Sequence, residues 1–541
     1  MKAPRACQQC RESKRKCLRP NQTIGDPCEP CRKRKLPCTS LLARSPTSSQ
    51  SLLPKPTVGL IGRHEDGAPV AMARAPTSDI SVDVAVLLVD FVLDKLHNRP
   101  YTLFHPLKLR KQVRDGSVNK ALLLAICSMG SRFAEDEDIR LLEIHWMNES
   151  KRLLLADLES QCVENIQTCV LIANLCSAHL NPSSEALFFR IAISLLQLME
   201  LGVPTVETNL IDLEVKRRLR WTLFMADRWS SSSLGLPRQI SDTELAIDLP
   251  MDESVFESLT PEKTRLDDPW QPGIWAHKIS LVQLFGPIQD LNRRSVNGSV
   301  TANEVERSVA LLAQQLETWE WMLPLDVKMG DENFERHANR GTGGPFVALH
   351  LGYHHYATLL YFRFLEPLVP SSPTAGIYRD KCKFHASSYS KLVKLARQRE
   401  NCEVIYPTVG HMTVVSSSVL LHTLLFGEEA DIKSARDAMN SNFAAIVELR
   451  QYWLNTAPMI NRLVAFQNFC LLSTDYRTHQ LDDWMIRFLI EYALPLEEKD
   501  IQPVKSAMMS DMDGFSSRTQ AFTEQGRYTS FTTQNSLDWG V

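Results

Sequence analysis

The 541-residue chain contains no stretch approaching the roughly 18 uninterrupted apolar residues that a membrane-crossing helix needs. Its first ten residues, MKAPRACQQC, also lack the apolar core of a secretory leader, so neither a membrane span nor export is expected. Signatures of catalysis are missing as well: there is no G-x-S-x-G elbow, no glycine-rich phosphate loop and no G-x-G-x-x-G following a strand pattern. The chain is therefore not read as an enzyme. Strand-like alternation is scarce, which leaves helices to build most of the fold. Cysteine is sparse over most of the length, with 13 residues in all, yet six of them fall within the first 38 positions. An even scatter would put about one in such a window, so the crowding needs a chemical reason.

The six are Cys7, Cys10, Cys17, Cys28, Cys31 and Cys38, spaced C-x2-C-x6-C-x10-C-x2-C-x6-C. Zinc prefers thiolates in a tetrahedron, and a C-x2-C pair brings two sulfurs to one ion from a single tight turn. Two separate four-thiolate sites would need eight cysteines. Six suffice when two zinc ions share two bridging thiolates. Eleven Lys and Arg lie between Met1 and Cys38 against Glu12, Asp26 and Glu29, a formal balance of +8. Disulfide stapling or a C-x-x-C redox centre would leave this charge, or four of the cysteines, without a purpose.

This stretch resembles the DNA-binding domain of the fungal binuclear zinc cluster transcription factors, typified by the yeast galactose regulator. The resemblance implies a two-zinc cluster over residues 1–40, with Cys7 and Cys28 bridging and Cys10, Cys17, Cys31 and Cys38 terminal. It implies that the end of the first short helix enters the major groove of double-stranded DNA, where Lys14 reads the guanines of a CGG-type triplet. Ser13 stands where the family usually has a base, Leu18 where an Asp often follows the third cysteine, and Pro27 abuts Cys28. Arg11, Arg15, Lys16, Arg32, Lys33, Arg34 and Lys35 are expected on phosphates, which fix register without reading sequence.

Beyond the head the charge reverses. Taking its residues from the chain's 60 Lys/Arg and 63 Asp/Glu leaves 49 basic against 60 acidic, an acidic body behind a basic end. That asymmetry fits a nucleic-acid contact confined to the head and argues against a body laid along DNA or an anionic membrane. Residues 41–79 are rich in Ser, Pro and Gly and are expected to be a disordered linker. Pro46, Pro54 and Pro56 forbid a coiled coil there. The protein is thus expected to act as a monomer or to form a homodimer through the following domain.

Residues 80–496 read as one large all-helical domain, making the protein mostly all-α. Apolar residues recur three and four apart in DVAVLLVDFVLDKL, KALLLAICSMGSRF, IRLLEIHWMNESKRLLLADL, ALFFRIAISLLQLMEL, VERSVALLAQQLETWEWM and FAAIVELRQYWL. EVKRRLRWTLFMADRWSSSSLGLPRQISDTELAIDLP, from Glu214 to Pro250, resembles the fungal-specific regulatory, or middle homology, domain, with weaker echoes in YTLFHP and LHLGYHHYATLLYFRFLEP. Physically, Trp221, Leu223, Phe224 and Met225 should bury a helix, Glu214 and Arg218 form an i,i+4 pair, and Gly235 with Pro237 end the element. Cys162, Cys169 and Cys176 repeat every seven residues and are read as core. His350 and His354 have metal-ligand spacing but no evident third ligand.

Residues 497–541 lose helical periodicity and interleave large apolar residues with acids. They are expected to be a disordered tail, either frayed or serving as an activation segment for a coactivator. The resulting expectation is a nuclear, zinc-dependent regulator of RNA polymerase II genes, an activator of a metabolic or secondary-metabolite set. Transcription machinery or a coactivator would be its protein partner. The alternative is an intracellular ligand-sensing or scaffold protein whose zinc cluster is only structural.

Overall fold

A computed structural model describes residue 31 and residues 80–201, 209–241, 248–263, 271–365, 373–472, 489–490 and 512–529. Two compact units are present, Met1–Ala75 and Pro76–Val541. In the first, the described residue is Cys31, helical and buried. The expected linker at 41–79 lies outside the described residues.

The second unit is built of helices. Among the described residues, extended pairing is limited to two isolated bridges, His97 with Tyr101 and Met251 with Pro272. The described residues of this unit open with α1 (Val82–Lys95), α2 (Pro106–Asp115), α3 (Lys120–Ser131), α4 (Glu137–Leu141) and α5 (Glu143–Ala156). Local chemistry sets these ends. Ser81 and Asn119 accept first-turn N–H groups of α1 and α3, proline opens α2, and Gly116 closes it in the left-handed region at φ 72°. The long apolar stretch beginning at Ile139 is two helices, divided at Leu142.

There follow α6 (Val163–Ala178), α7 (Pro182–Leu201), α8 (Leu210–Leu234), α9 (Glu253–Glu257), α10 (Ile274–Val296) and α11 (Ala302–Met322). A capping box starts α11: Thr301 accepts from Glu304 N–H while the Glu304 carboxylate accepts from Thr301 N–H at 2.8 Å. The described helices then run α12 (Asp331–Asn339), α13 (Gly343–Tyr361), α14 (Pro373–Gln398), α15 (Pro407–Phe426), α16 (Glu429–Leu449) and α17 (Ala457–Leu472). FAAIVELRQYWL ends its helix at Leu449, the seventh of the twelve residues in the pattern.

Neighbours in sequence pack side by side, α6 on α7, α13 on α14 and α15 on α16, while α10 lies on α13. Gly130 of α3 sits so close to α1 that a Cβ there would meet the Leu88 carbonyl oxygen at 2.3 Å. Two helices, α13 and α15, are buried on nearly every side, as expected where a helix is apolar all round. At 20 residues and mean hydropathy 1.4, α15 is long and apolar enough to cross a membrane, contrary to the expectation that no such segment exists. Its burial inside the body accounts for the composition: Ser418 and Thr423 return their hydroxyls to carbonyls one turn back, so these groups need no water.

Part of the expected disordered tail is ordered. Met512–Glu524 forms α18, and Phe515, Phe522 and Tyr528 pack half-buried against the core. The Arg527 guanidinium donates to the carbonyls of Leu424, Leu425 and Gly427 at 3.3, 3.4 and 2.9 Å, closing the C-terminal end of α15. Gln467 both donates to Thr529 O at 2.9 Å and accepts from its N–H at 3.1 Å. Periodicity failed to announce this segment because its anchors are hydrogen bonds made roughly 60 to 100 residues away. Arg527→Ala is expected to raise amide exchange across 512–529 by about 5- to 30-fold, from a loss of about 1–2 kcal/mol, with protection in α13 unchanged.

Candidate functional site

Of the sequence-derived site residues, Cys7, Cys10, Cys17, Cys28, Cys38, Lys14, Arg11, Arg15, Lys16, Arg32, Lys33, Arg34 and Lys35 lie outside the described residues. Cys31 is helical and only 2 % exposed. A six-thiolate donor set at this spacing suits two zinc ions, because soft sulfur ligands satisfy the metal without carboxylates or water.

In the second unit, among the described residues, no group of three His, Cys, Asp or Glu side chains converges as a metal site. His350 Nε2 bonds the Val327 carbonyl at 2.9 Å, and His354 Nδ1 faces His385 Nδ1 at 3.0 Å. Cys169 and Cys176 are buried and Cys162 half-buried at the start of α6, and burial pushes all three thiols up. They pack; they are not poised as thiolates.

The Glu214–Pro250 motif forms a clamp of buried charge. Arg218 Nε donates to Glu214 Oε1 at 2.9 Å, and both side chains are essentially without solvent contact. Glu214 also pairs with Arg217 and accepts Met251 N–H at 3.0 Å, while Arg218 donates to the Met251 carbonyl at 2.6 Å. The guanidinium lies 4.3 Å from the centre of the Phe256 ring. Two turns further on, Asp227 accepts from the N–H groups of Gln239 and Ile240 at 3.0 Å and from Ser231 Oγ at 3.1 Å. Gly235, left-handed at φ 67°, turns the chain so that those amides come back to Asp227. Trp221 Nε1 donates to Asp248 O at 3.0 Å. These contacts fasten the segment after α8 back onto its own helix at both ends.

The YTLFHP segment meets the same clamp. Thr222 Oγ1 donates to Thr102 O at 3.2 Å, Gln167 Nε2 to Leu103 O at 2.6 Å, and His105 Nε2 sits 3.0 Å from Phe256 O. Both motifs therefore define one packing centre and no catalytic arrangement. Sequence reasoning missed what lies beside it. Lys278, inside the apolar run IWAHKISLVQLF of α10, is buried and donates to the Arg99 carbonyl; Arg99 in turn holds Asp94 O at 2.7 Å and Glu403 O at 3.0 Å. A charged residue interrupting an apolar helical run was the available signal.

Residues 93–320 match the fungal specific transcription factor domain. The Zn(2)-C6 fungal-type transcription factor FTF1c of Fusarium oxysporum f. sp. lycopersici is 22 % identical over 420 residues, which cover 69 % of this chain and 44 % of the relative. A second factor of that organism, FTF2, is 21 % identical over 414 residues, covering 69 % and 38 %. An uncharacterised transcriptional regulatory protein of Schizosaccharomyces pombe is 22 % identical over 431 residues, covering 66 % and 60 %. No solved structure matches. The chain is thus similar over residues 93–320 to the fungal specific transcription factor domain, and across about two thirds of its length to fungal Zn(2)-C6 transcription factors. The match spans less than half the length of the Fusarium relatives.

Proposed function

We propose that the protein is a nuclear, zinc-dependent, sequence-specific regulator of RNA polymerase II transcription. Cys7, Cys10, Cys17, Cys28, Cys31 and Cys38 hold two zinc ions, Lys14 reads a CGG-type triplet, and Arg11, Arg15, Lys16 and Arg32 to Lys35 grip phosphates. The helical domain holds partners or an effector and provides any homodimer contact. Activation of a metabolic or secondary-metabolite gene set, through a coactivator, is the regulatory outcome that best fits the family. The duplicated C-x2-C-x6-C unit carries this reading, because it joins a metal-folding pattern to a +8 charge in 38 residues.

Selection of binding sites from random duplexes by the zinc-loaded full-length protein, at fixed salt, tests it. A recovered CGG-type triplet is the expected result, and paired triplets place a dimer contact in the protein. In Lys14→Ala, zinc content should stay unchanged while discrimination against a mutated triplet falls by about 1–3 kcal/mol, roughly 5- to 150-fold. A wild-type protein that retains only unselected DNA leaves the scaffold alternative, in which zinc merely folds the head.

A further inference from the structure

At the meeting of α8, α10, α13 and α15 the body holds a partly open cavity of about 20 Å³, enough for one particle the size of a water molecule. Its wall combines Trp229, Lys278, His355, Tyr356, Tyr406 and Thr408. No carboxylate is among the lining residues, although a buried ammonium ordinarily has one. Lys278 makes its hydrogen bond to the Arg99 carbonyl, and its Nζ lies 5.7 Å from the Trp229 ring centre and 5.4 Å from that of Tyr406.

Three further groups favour negative charge here. The 20-residue helix α15 begins at the cavity, with Tyr406 at its N-cap and no side chain capping its first turn. The Thr408 N–H belongs to that first turn, where amides lack intrahelical partners and the helix dipole is positive. His355, 4 % exposed, has its Nδ1 buried without a hydrogen-bond partner. Tyr356 Oη accepts from Trp229 Nε1 at 3.0 Å, which leaves its own proton to donate.

We propose that this cavity is a binding site for one halide-sized monovalent anion, held by the Lys278 ammonium and the N-terminal turn of α15, with His355 and Tyr356 donating from α13. A bound anion would tie α10, α13 and α15 together at the centre of the regulatory domain. Binding is coupled to a proton. Burial alone pulls Lys278 down to about 7, so near neutrality the amine is only partly charged and the anion must bring a proton with it as pH rises. The other titratable and charged groups nearby are His355, pulled down to about 3 and neutral, Tyr356 and Tyr406, whose hydroxyls burial keeps protonated, and His411, held neutral by burial with His355 and Arg462 bearing on it. Arg99 stands behind Lys278, its guanidinium turned to backbone carbonyls. None of these changes charge between pH 7 and 9, so Lys278 sets the dependence.

Full-length protein titrated with sodium chloride and sodium bromide against sodium gluconate at constant ionic strength tests the site by calorimetry and thermal unfolding. Saturable binding of chloride and bromide, unmatched by gluconate, is expected. The affinity should be level below about pH 7 and fall tenfold per pH unit above it. At pH 8.5, titration in buffers of different ionisation enthalpy should register close to one proton taken up per anion. Lys278→Met should abolish binding, whereas Lys278→Arg should keep it and flatten its pH dependence. Equal effects of gluconate and chloride, absence of proton uptake by the wild type, or retained binding in Lys278→Met each overturn the proposal. The wild-type proton measurement stands even where a variant fails to fold.

Discussion

Arg218→Met destabilises the helical domain by about 3 kcal/mol, the low end of the range for breaking one side of a buried ion pair. Methionine keeps the unbranched apolar stem but stops short of the guanidinium that lies over Phe256, so the loss combines the charge with that ring contact. Glu214, with no solvent contact, would retain only Arg217 and the Met251 N–H as partners. Arg217 lies at the edge of the body, with about a quarter of its side chain exposed, and offsets part of the deficit. The Met251 carbonyl loses a donor as well, loosening the segment that Asp227 and Trp221 hold from the other end. Denaturant unfolding of the full chain measures the cost. Glu214→Gln combined with Arg218→Met should recover most of it, because glutamine still accepts the Met251 N–H and no uncompensated charge remains buried. A single variant that costs under about 1 kcal/mol, or a double variant no better than the single, contradicts a clamp built on charge compensation.

That clamp marks how far the sequence could be read. The i,i+4 spacing of Glu214 and Arg218 announced their pairing, and the cluster Trp221, Leu223, Phe224 and Met225 announced a buried face; all four are at most 1 % exposed. Spacing could not reveal that the ion pair itself is buried, since Met251, Phe256 and Thr102 arrive from 33 to 116 residues away. The cavity was illegible for the same reason: Trp229, Lys278, His355 and Thr408 share no local pattern and meet only when four helices pack. Across residues 512–529, three half-buried aromatic residues and one arginine do what periodicity usually does. The mostly all-α class was legible throughout, because repeated three-and-four spacing and scarce alternation leave little else to build.

Chelation of zinc should have the largest effect on the proposed activity. A head of roughly 40 residues is too small to bury a sufficient core of its own, so metal binding supplies its folding free energy. Removing zinc from the full-length protein should abolish triplet selection, while unfolding of the second unit, where no three potential ligand side chains converge among the described residues, should stay unchanged. Cys28→Ser should act on both ions at once, since the family resemblance makes that thiolate a bridge; a terminal ligand such as Cys38 touches one. Elemental analysis should find two equivalents of zinc per wild-type chain and fewer than one in Cys28→Ser. Salt gives an independent check on the same head. With the seven basic residues proposed above to lie on phosphates, affinity should fall on the order of several thousandfold between 50 and 200 mM monovalent salt. Replacing Lys33 by alanine should lower that slope by about one without changing which triplet is selected, whereas Lys14→Ala should change the selection. A protein that keeps its duplex preference after chelation, or whose affinity ignores salt, would have its DNA contact somewhere other than the cysteine-rich head.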